Sequence, residues 1–231
     1  GEQAQPLPPL GEEDALALFL RRAPPGSAQQ GEEERATLAR LVKLLDGLPL
    51  AIELAAARAR VMSPAAMLAR MSERFRLLAA PGARGDRQAT LRATLDWSWD
   101  LLADVERAAL AQLSVFDGGF TLETAEAVLA LEDCGTKAWA VDVVQSLLDK
   151  SLLHPERADR LTLLASVQAY AAEQLRAPGR FPGSGEAAGR AAEARHYGWF
   201  GGLGPTRALA HGSVELANLV SACRRAVRDG A

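Results

Sequence analysis

Apolar residues recur every three or four positions through the first third of the chain, the spacing of one buried helix face. Leu16, Phe19, Leu20 and Ala23 predict a helix from Gly11 to Ala23. Its first turn holds Glu12, Glu13 and Asp14, where the helix dipole favours acids. A Pro/Gly/Ser/Gln-rich loop follows from Ala23 to Gly31. Leu38, Leu41, Val42 and Leu45 predict a second helix ending at Asp46-Gly47, where glycine can close it in the left-handed conformation. Pro49 then falls in the first turn of a third helix, Leu48 to about Val61, where its missing N–H costs nothing. That helix is apolar or alanine on nearly every side, so it should be buried. Ser63-Pro64 reads as an N-cap and first helical proline, opening a fourth helix to about Leu78. Residues 1–80 are therefore predicted to form a four-helix bundle.

Ala79 to Arg87 has the glycines, proline and charges of a linker. Beyond it Leu91, Leu95, Ser98, Trp99 and Leu102 share a helix face. Asp104 is placed to cap the next helix, which ends near Phe116-Asp117-Gly118-Gly119, and Thr121 to cap another reaching about Leu131. Val143, Val144, Leu147 and Leu148 mark one more, ending near Lys150. The period then changes. Ser151 to Pro155 and Leu161 to Leu164, around a charged turn from Glu156 to Arg160, predict a short β-hairpin. A helix from about Ala165 to Leu175 closes the unit. Helices followed by a two-stranded wing are the order of a winged helix, so residues 87–176 are read as that domain. Ala177 to Gly185 reads as a mobile Pro/Gly-rich connection, followed by helices near 186–200 and 214–229. Leu216, Leu219, Val220 and Cys223 form an apolar face with no evident partner in the chain. The fold class expected is mainly α.

Composition narrows the function classes. The 231 residues suffice for one large domain or two small ones. With 48% apolar and 24% charged residues, the chain reads as an ordinary globular protein. A net charge of −3 supplies no field that would gather nucleic acid or an acidic membrane. No apolar run approaches the ~18 residues of a membrane span, and the N-terminus is unlike a signal peptide, so a cytoplasmic location is expected. The opening at Gly1 reads as a cut. Cys134 and Cys223 form no metal or redox motif, and His154, His196 and His211 share no metal-ligand spacing. These histidines are read as surface or packing residues.

Gly47-Leu48-Pro49-Leu50 on an Ala/Leu-rich helix resembles a motif of the NB-ARC-type signal-transduction (STAND) ATPases, although an ordinary helix corner would carry the same residues. Further pieces follow in order. Arg87-Gln88 through Leu91-Arg92-Ala93 to Asp96-Trp97-Ser98-Trp99-Asp100-Leu101-Leu102 is similar to the opening of the winged-helix domain in large bacterial regulators of that type. Leu113 to Phe116 with Gly118-Gly119-Phe120, Leu147 to Leu153, and Leu163-Leu164 through Tyr170-Ala171 continue the resemblance. Glu215 to Gly230 resembles the first helix of a tetratricopeptide-like repeat.

The resemblance implies a helical lid in 1–80, a winged helix in 87–176 and the start of a repeat module in 186–231. It implies that Gly47, Leu48, Pro49 and Leu50 line the nucleotide in the intact protein, with Pro49 against the adenine. ADP or ATP with Mg would be the cofactor of the intact parent. Partners would be an upstream P-loop domain, the downstream repeats and other proteins, with no membrane contact. Two departures limit it. A P-loop needs lysine after glycine, and none of Lys43, Lys137 and Lys150 follows one. The nucleotide core is therefore expected upstream, and this chain is expected to catalyse nothing. Leu163, Leu164 and Ala165 stand where relatives carry a phosphate-sensing histidine.

Direct DNA reading is the rival. From Thr121 to Ser151 six acids (Glu123, Glu126, Glu132, Asp133, Asp142, Asp149) face two cations, Lys137 and Lys150. Phosphate neutralisation carries most of the affinity of a DNA reader, so DNA contact by this chain is not expected. A scaffold with a decayed nucleotide site is the third reading. The main expectation is a regulatory fragment whose lid and winged helix gate an ADP/ATP-dependent signalling or transcriptional regulator.

Overall fold

The computed structural model describes residues 9–24, 31–45, 47–70, 87–134, 138–157, 159–204 and 214–230. It is mainly helical and divides into two compact units, at Leu101/Leu102.

The first unit holds α1 (Glu12–Arg22), α2 (Glu32–Leu44), α3 (Pro49–Ala57) with a 3₁₀ turn (Arg58–Arg60), the described part of α4 (residues 64–70) and α5 (Arg87–Asp100). Its core joins Phe19 of α1, Leu38 and Leu41 of α2, and Ile52 and Ala55 of α3, all at most 3% exposed. The Ala/Leu-rich α3 is buried along most of its length, as its all-round apolar character requires. Ser63 Oγ accepts the Ala66 N–H (3.3 Å), the cap its position predicts. The predicted linker and the end of α4, residues 71–86, lie outside the described residues. α5, read from sequence as the opening of the winged helix, packs within this first unit: Trp97 joins the core of α1–α3, and Arg58 donates to the Ser98 carbonyl (3.2 Å). One apolar face accounts for Leu95 and Trp99 but not for Trp97, which is only 4% exposed. The helix is buried on more than one side.

The second unit starts with α6 (Asp104–Leu113), β1 (Phe120–Thr121), α7 (Leu122–Val128) and α8 (Ala140–Asp149). The hairpin β2 (His154–Arg157) and β3 (Arg160–Thr162) follows, then α9 (Ala165–Arg176), α10 (Glu186–Gly202) and α11 (Leu216–Asp229). The sheet order is β1-β3-β2, all antiparallel, with Phe120 opposite Leu161 and His154 opposite Thr162. This is a winged helix-turn-helix arrangement, its hairpin widened by a third strand that a two-residue segment could not announce in sequence.

Three expectations are corrected. The first strand does not begin at Ser151, because Ser151 takes φ 56 and the N–H groups of Leu152 and Leu153 return to the Leu147 carbonyl (3.0 and 3.4 Å). Those residues close α8, and Leu163-Leu164 likewise lead into α9. Asp104 is the first helical residue, not the cap of α6; the Ala103 N–H is satisfied by Glu106 Oε2 at 2.8 Å. Residues 177–185 form a packed corner, not a mobile connection. Ser184 Oγ accepts the Arg180 and Phe181 N–H groups, the Gly185 N–H bonds the Leu175 carbonyl, and Phe181 is buried.

Candidate functional site

The helix-turn-helix pair is α7 and α8, and α8 is the helix a winged helix would present to DNA. Thr121 caps α7: its Oγ1 accepts the Thr124 N–H (3.2 Å), and its own N–H goes to Thr124 Oγ1 (2.9 Å). α8 buries Val143, Val144 and Leu147 and exposes Asp142, Gln145 and Asp149 at positions i, i+3 and i+7. Every charged residue of the two helices is a carboxylate: Glu123, Glu126, Asp142 and Asp149. Lys150, just past α8, is turned back to an ion pair with Glu106 of α6. Ser146 Oγ also donates to that carboxylate, at 2.5 Å. Burial opposes ionisation of Glu106, but hydrogen bonds from Lys150, Ser146 and the Ala103 N–H outweigh it and hold the carboxyl below its ordinary value.

The wing has the same character. Arg157 is exposed, but Arg160 is 7% exposed and points inward. Its guanidinium meets the buried carboxylate of Glu215, the residue that precedes α11, and donates to the Gly118 carbonyl (3.0 Å). By count Glu156 and Asp159 of the wing cancel Arg157 and Arg160, but the charges are unequal in use, because Arg160 is engaged inside the unit.

Behind the wing lies a polar lock that sequence reasoning missed. Gly118 and Gly119 both take left-handed φ (86 and 85°). A Cβ on Gly119 would stand 2.8 Å from the Leu161 carbonyl oxygen, so β3 approaches only because no side chain is there. α11 docks on this turn through Asn218, which is fully buried. Asn218 Nδ2 donates to the Gly119 carbonyl and to Glu215 Oε2 (both 2.8 Å), while its Oδ1 accepts the Asp117 N–H (2.7 Å). His196 of α10 stands beside it, wedged between the rings of Phe116 and Phe200. Arg225 Nη1 lies 3.1 Å from His196 Nδ1 and donates to the Val115 carbonyl (2.7 Å). Nδ1 must therefore accept, which leaves the proton on Nε2, 3.4 Å from Asn218 Oδ1. Burial first, then the Arg225 charge, push the imidazole down to about 4, against the smaller upward pull of Asn218. The double glycine and the polar positions Asn218 and Arg225, opposite the apolar face of 216–223, were the available signals. Neither could say that these positions meet.

The residues read as nucleotide-lining sit at the corner between α2 and α3. Gly47 is buried at φ 63, and a Cβ there would stand 2.4 Å from the Leu10 carbonyl oxygen. Its own carbonyl accepts the Leu10 N–H (3.0 Å). Leu48 precedes α3 and is half-buried like Leu50, and Pro49 is exposed on the first turn. An open groove of about 880 Å³ between α1 and α2 has Glu12, Glu13 and Glu32 against Arg35 on its walls, a poor setting for phosphate. His196 is buried in the lock and His154 lies on β2; among the described residues, no group of histidine, cysteine and carboxylates could hold a metal. No helix among the described residues is long and apolar enough to cross a membrane.

Comparisons with known proteins agree with this architecture. A sequence model of the winged helix-turn-helix domain matches residues 102–176. An uncharacterized protein of Mycobacterium tuberculosis, Rv0894, is 39% identical over 183 residues, covering 76% of this chain and 46% of its own length. The protein named Putative HTH-type transcriptional regulator Rv0890c, from the same organism, is 40% identical over 172 residues, covering 71% of this chain and 19% of its own length. The chain thus spans less than half the length of the curated relatives it matches. No solved structure matches.

Proposed function

We propose that this chain is the winged-helix segment of a larger transcriptional regulator, and that its winged helix works by docking protein rather than by reading DNA. The regulator part of this reading has the support of the matched domain and of the name carried by a relative. Neither speaks to a nucleotide, so the comparisons favour a winged-helix regulator over a nucleotide-gated switch. The observation that carries the protein-docking part is electrostatic. α7 and α8 bring four carboxylates and no cation, and Arg160 of the wing is committed to Glu215. A face that must displace counterions from phosphate needs the opposite sign.

The test is a titration of labelled duplex DNA with the 231-residue chain. Weak binding that vanishes as salt rises toward ~200 mM is expected. Tight, sequence-selective binding that survives would establish the second reading, direct DNA recognition, which the matched domain and the relative's name favour.

The nucleotide-gated refinement rests on the resemblance of Gly47-Leu48-Pro49-Leu50. Pro49, exposed on the first turn of α3, can offer a base only an apolar contact, worth ~1 kcal/mol from a few tens of Å² of area. Micromolar binding needs roughly 8 kcal/mol, so the chain alone is expected to bind no ADP. In an intact protein that does bind it, Pro49→Ala should weaken ADP modestly by calorimetry. An unchanged affinity there would remove the refinement and leave the regulator reading standing.

A further inference from the structure

Between α1 and α2 the first unit leaves an open groove of about 880 Å³. Its floor is apolar. Leu16 and Leu20 stand one turn apart on α1, and the small side chains of Ala36 and Ala39 line it from α2. Leu16 is buried, but Leu20 is 46% exposed, a large apolar group that the unit leaves in water.

The walls carry charge of one sign. Glu12, Glu13 and Glu32 line the groove against a single cation, Arg35. The helix dipole favours acids in both first turns, but it is served on any side of a helix and leaves the carboxylates charged. Among the described residues none of these four side chains is held in an ion pair. Arg35 stands one turn from Glu32 on the same helix and offsets it. The uncompensated charge therefore belongs to Glu12 and Glu13 of α1.

An extended peptide is a poor occupant. Every described element of this unit is helical, so no sheet edge would meet its N–H and carbonyl groups. A small ligand needs an enclosure that an open groove does not give. A helix satisfies its own backbone, and Ala36 and Ala39 would let it approach closely. From Glu12 to Leu20 the wall runs about 12 Å, which three turns of a partner helix span.

We propose that the groove between α1 and α2 is a docking site for a basic amphipathic helix of a partner protein. Its apolar face covers Leu16 and Leu20, and its Lys or Arg residues meet Glu12 and Glu13. The site lies in the first unit and owes nothing to how the winged helix is used. Charge selects the partner; the apolar floor holds it.

The test is to pan a phage-displayed library of random peptides of about 14 residues, enough for three helical turns, on the whole 231-residue chain. Enriched sequences should carry apolar residues at i and i+3 or i+4, with Lys or Arg on one flank. The enriched peptide is then labelled and titrated by fluorescence anisotropy. Leu20→Ser, at an exposed position and with the fold checked by circular dichroism, should weaken binding about tenfold. Glu12→Gln with Glu13→Gln should weaken it about fivefold at low salt. Arg35→Glu should tighten it about threefold, a gain that a damaged fold could not produce. Val141→Ser, on the exposed surface of α8, should change nothing. No enrichment, enrichment of acidic or uncharged peptides, or binding unchanged by Leu20→Ser would overturn the proposal. So would binding that ignores both charge variants, or binding that Val141→Ser abolishes.

Discussion

α8 and α11 are amphipathic helices of the same unit turned in opposite senses. α8 buries Val143, Val144 and Leu147 and shows water its acids. α11 buries Asn218, Ser221 and Ala222, with Glu215 just before it, and turns Leu216, Val220 and Val227 outward at 59, 39 and 79% exposure. The first is held by the hydrophobic effect, which is non-directional and tolerant of small shifts. The second is held by directed hydrogen bonds to the Asp117–Gly119 turn, which demand one position and one register. Apolar content alone therefore does not tell which way a helix faces.

The largest effect should come from breaking the charged part of the lock. Glu215→Ala takes the buried carboxylate from the Arg160 guanidinium and leaves it the half-exposed Glu156 carboxylate at 3.8 Å and the Gly118 carbonyl; removing one partner of a buried pair costs up to about 3–5 kcal/mol. Urea denaturation should show it. The double variant Arg160→Met with Glu215→Leu should recover most of the loss, since an apolar pair often replaces a buried ion pair without penalty. A double variant no better than the single one would mean that the lock is specific to its charges.

On the other helix, Leu147→Ala should cost about 2–5 kcal/mol, because Leu147 is fully buried. It should destabilise the unit as a whole, whereas a lesion in the lock should first raise amide exchange in 216–229. Equal exchange profiles for the two would erase the distinction between the helices.

Acid should sharpen the comparison through His196. Its imidazole has an ordinary value of 6.5 and is pushed down to about 4 in the fold. Between those values the unfolded chain binds the proton and the folded chain does not. The stability is thus fully present above pH 6.5 and falls as pH drops toward 4, by at most on the order of 3 kcal/mol. His196→Gln should flatten denaturation midpoints across that window. A wild-type midpoint level from pH 6.5 to 4.5 would contradict the neutral, buried ring.

Asn218→Ala leaves the Gly119 carbonyl and the Asp117 N–H without their partner, a loss of about 1–3 kcal/mol. Leu216→Ser and Val227→Ser, on the outward face, should change stability by less than ~0.5 kcal/mol. A large loss from either would show that the stripe is covered in solution.

Much of this was legible in the chain before any coordinates. The corner at Gly47, the Thr121 cap and the change of period at the wing are local. Each follows from steric and hydrogen-bonding preferences of a few neighbouring residues, so the residues announce them directly. The acidic character of α7 and α8 was equally plain, because charge is counted and not folded. What sequence reading placed wrongly were features set by distant partners. Trp97 on α5 joins the core of α1–α3, and Phe181 turns a Pro/Gly-rich stretch into a packed corner. Only the tertiary structure decided that Arg160 is removed from the wing's surface by Glu215, 55 residues away. Only it decided that α11 docks by its polar side. Helical periodicity names two faces of a helix. The choice between them depends on what the rest of the chain offers, and here the open carbonyls and N–H of a double-glycine turn were the better match for Asn218 than any apolar surface for Leu216.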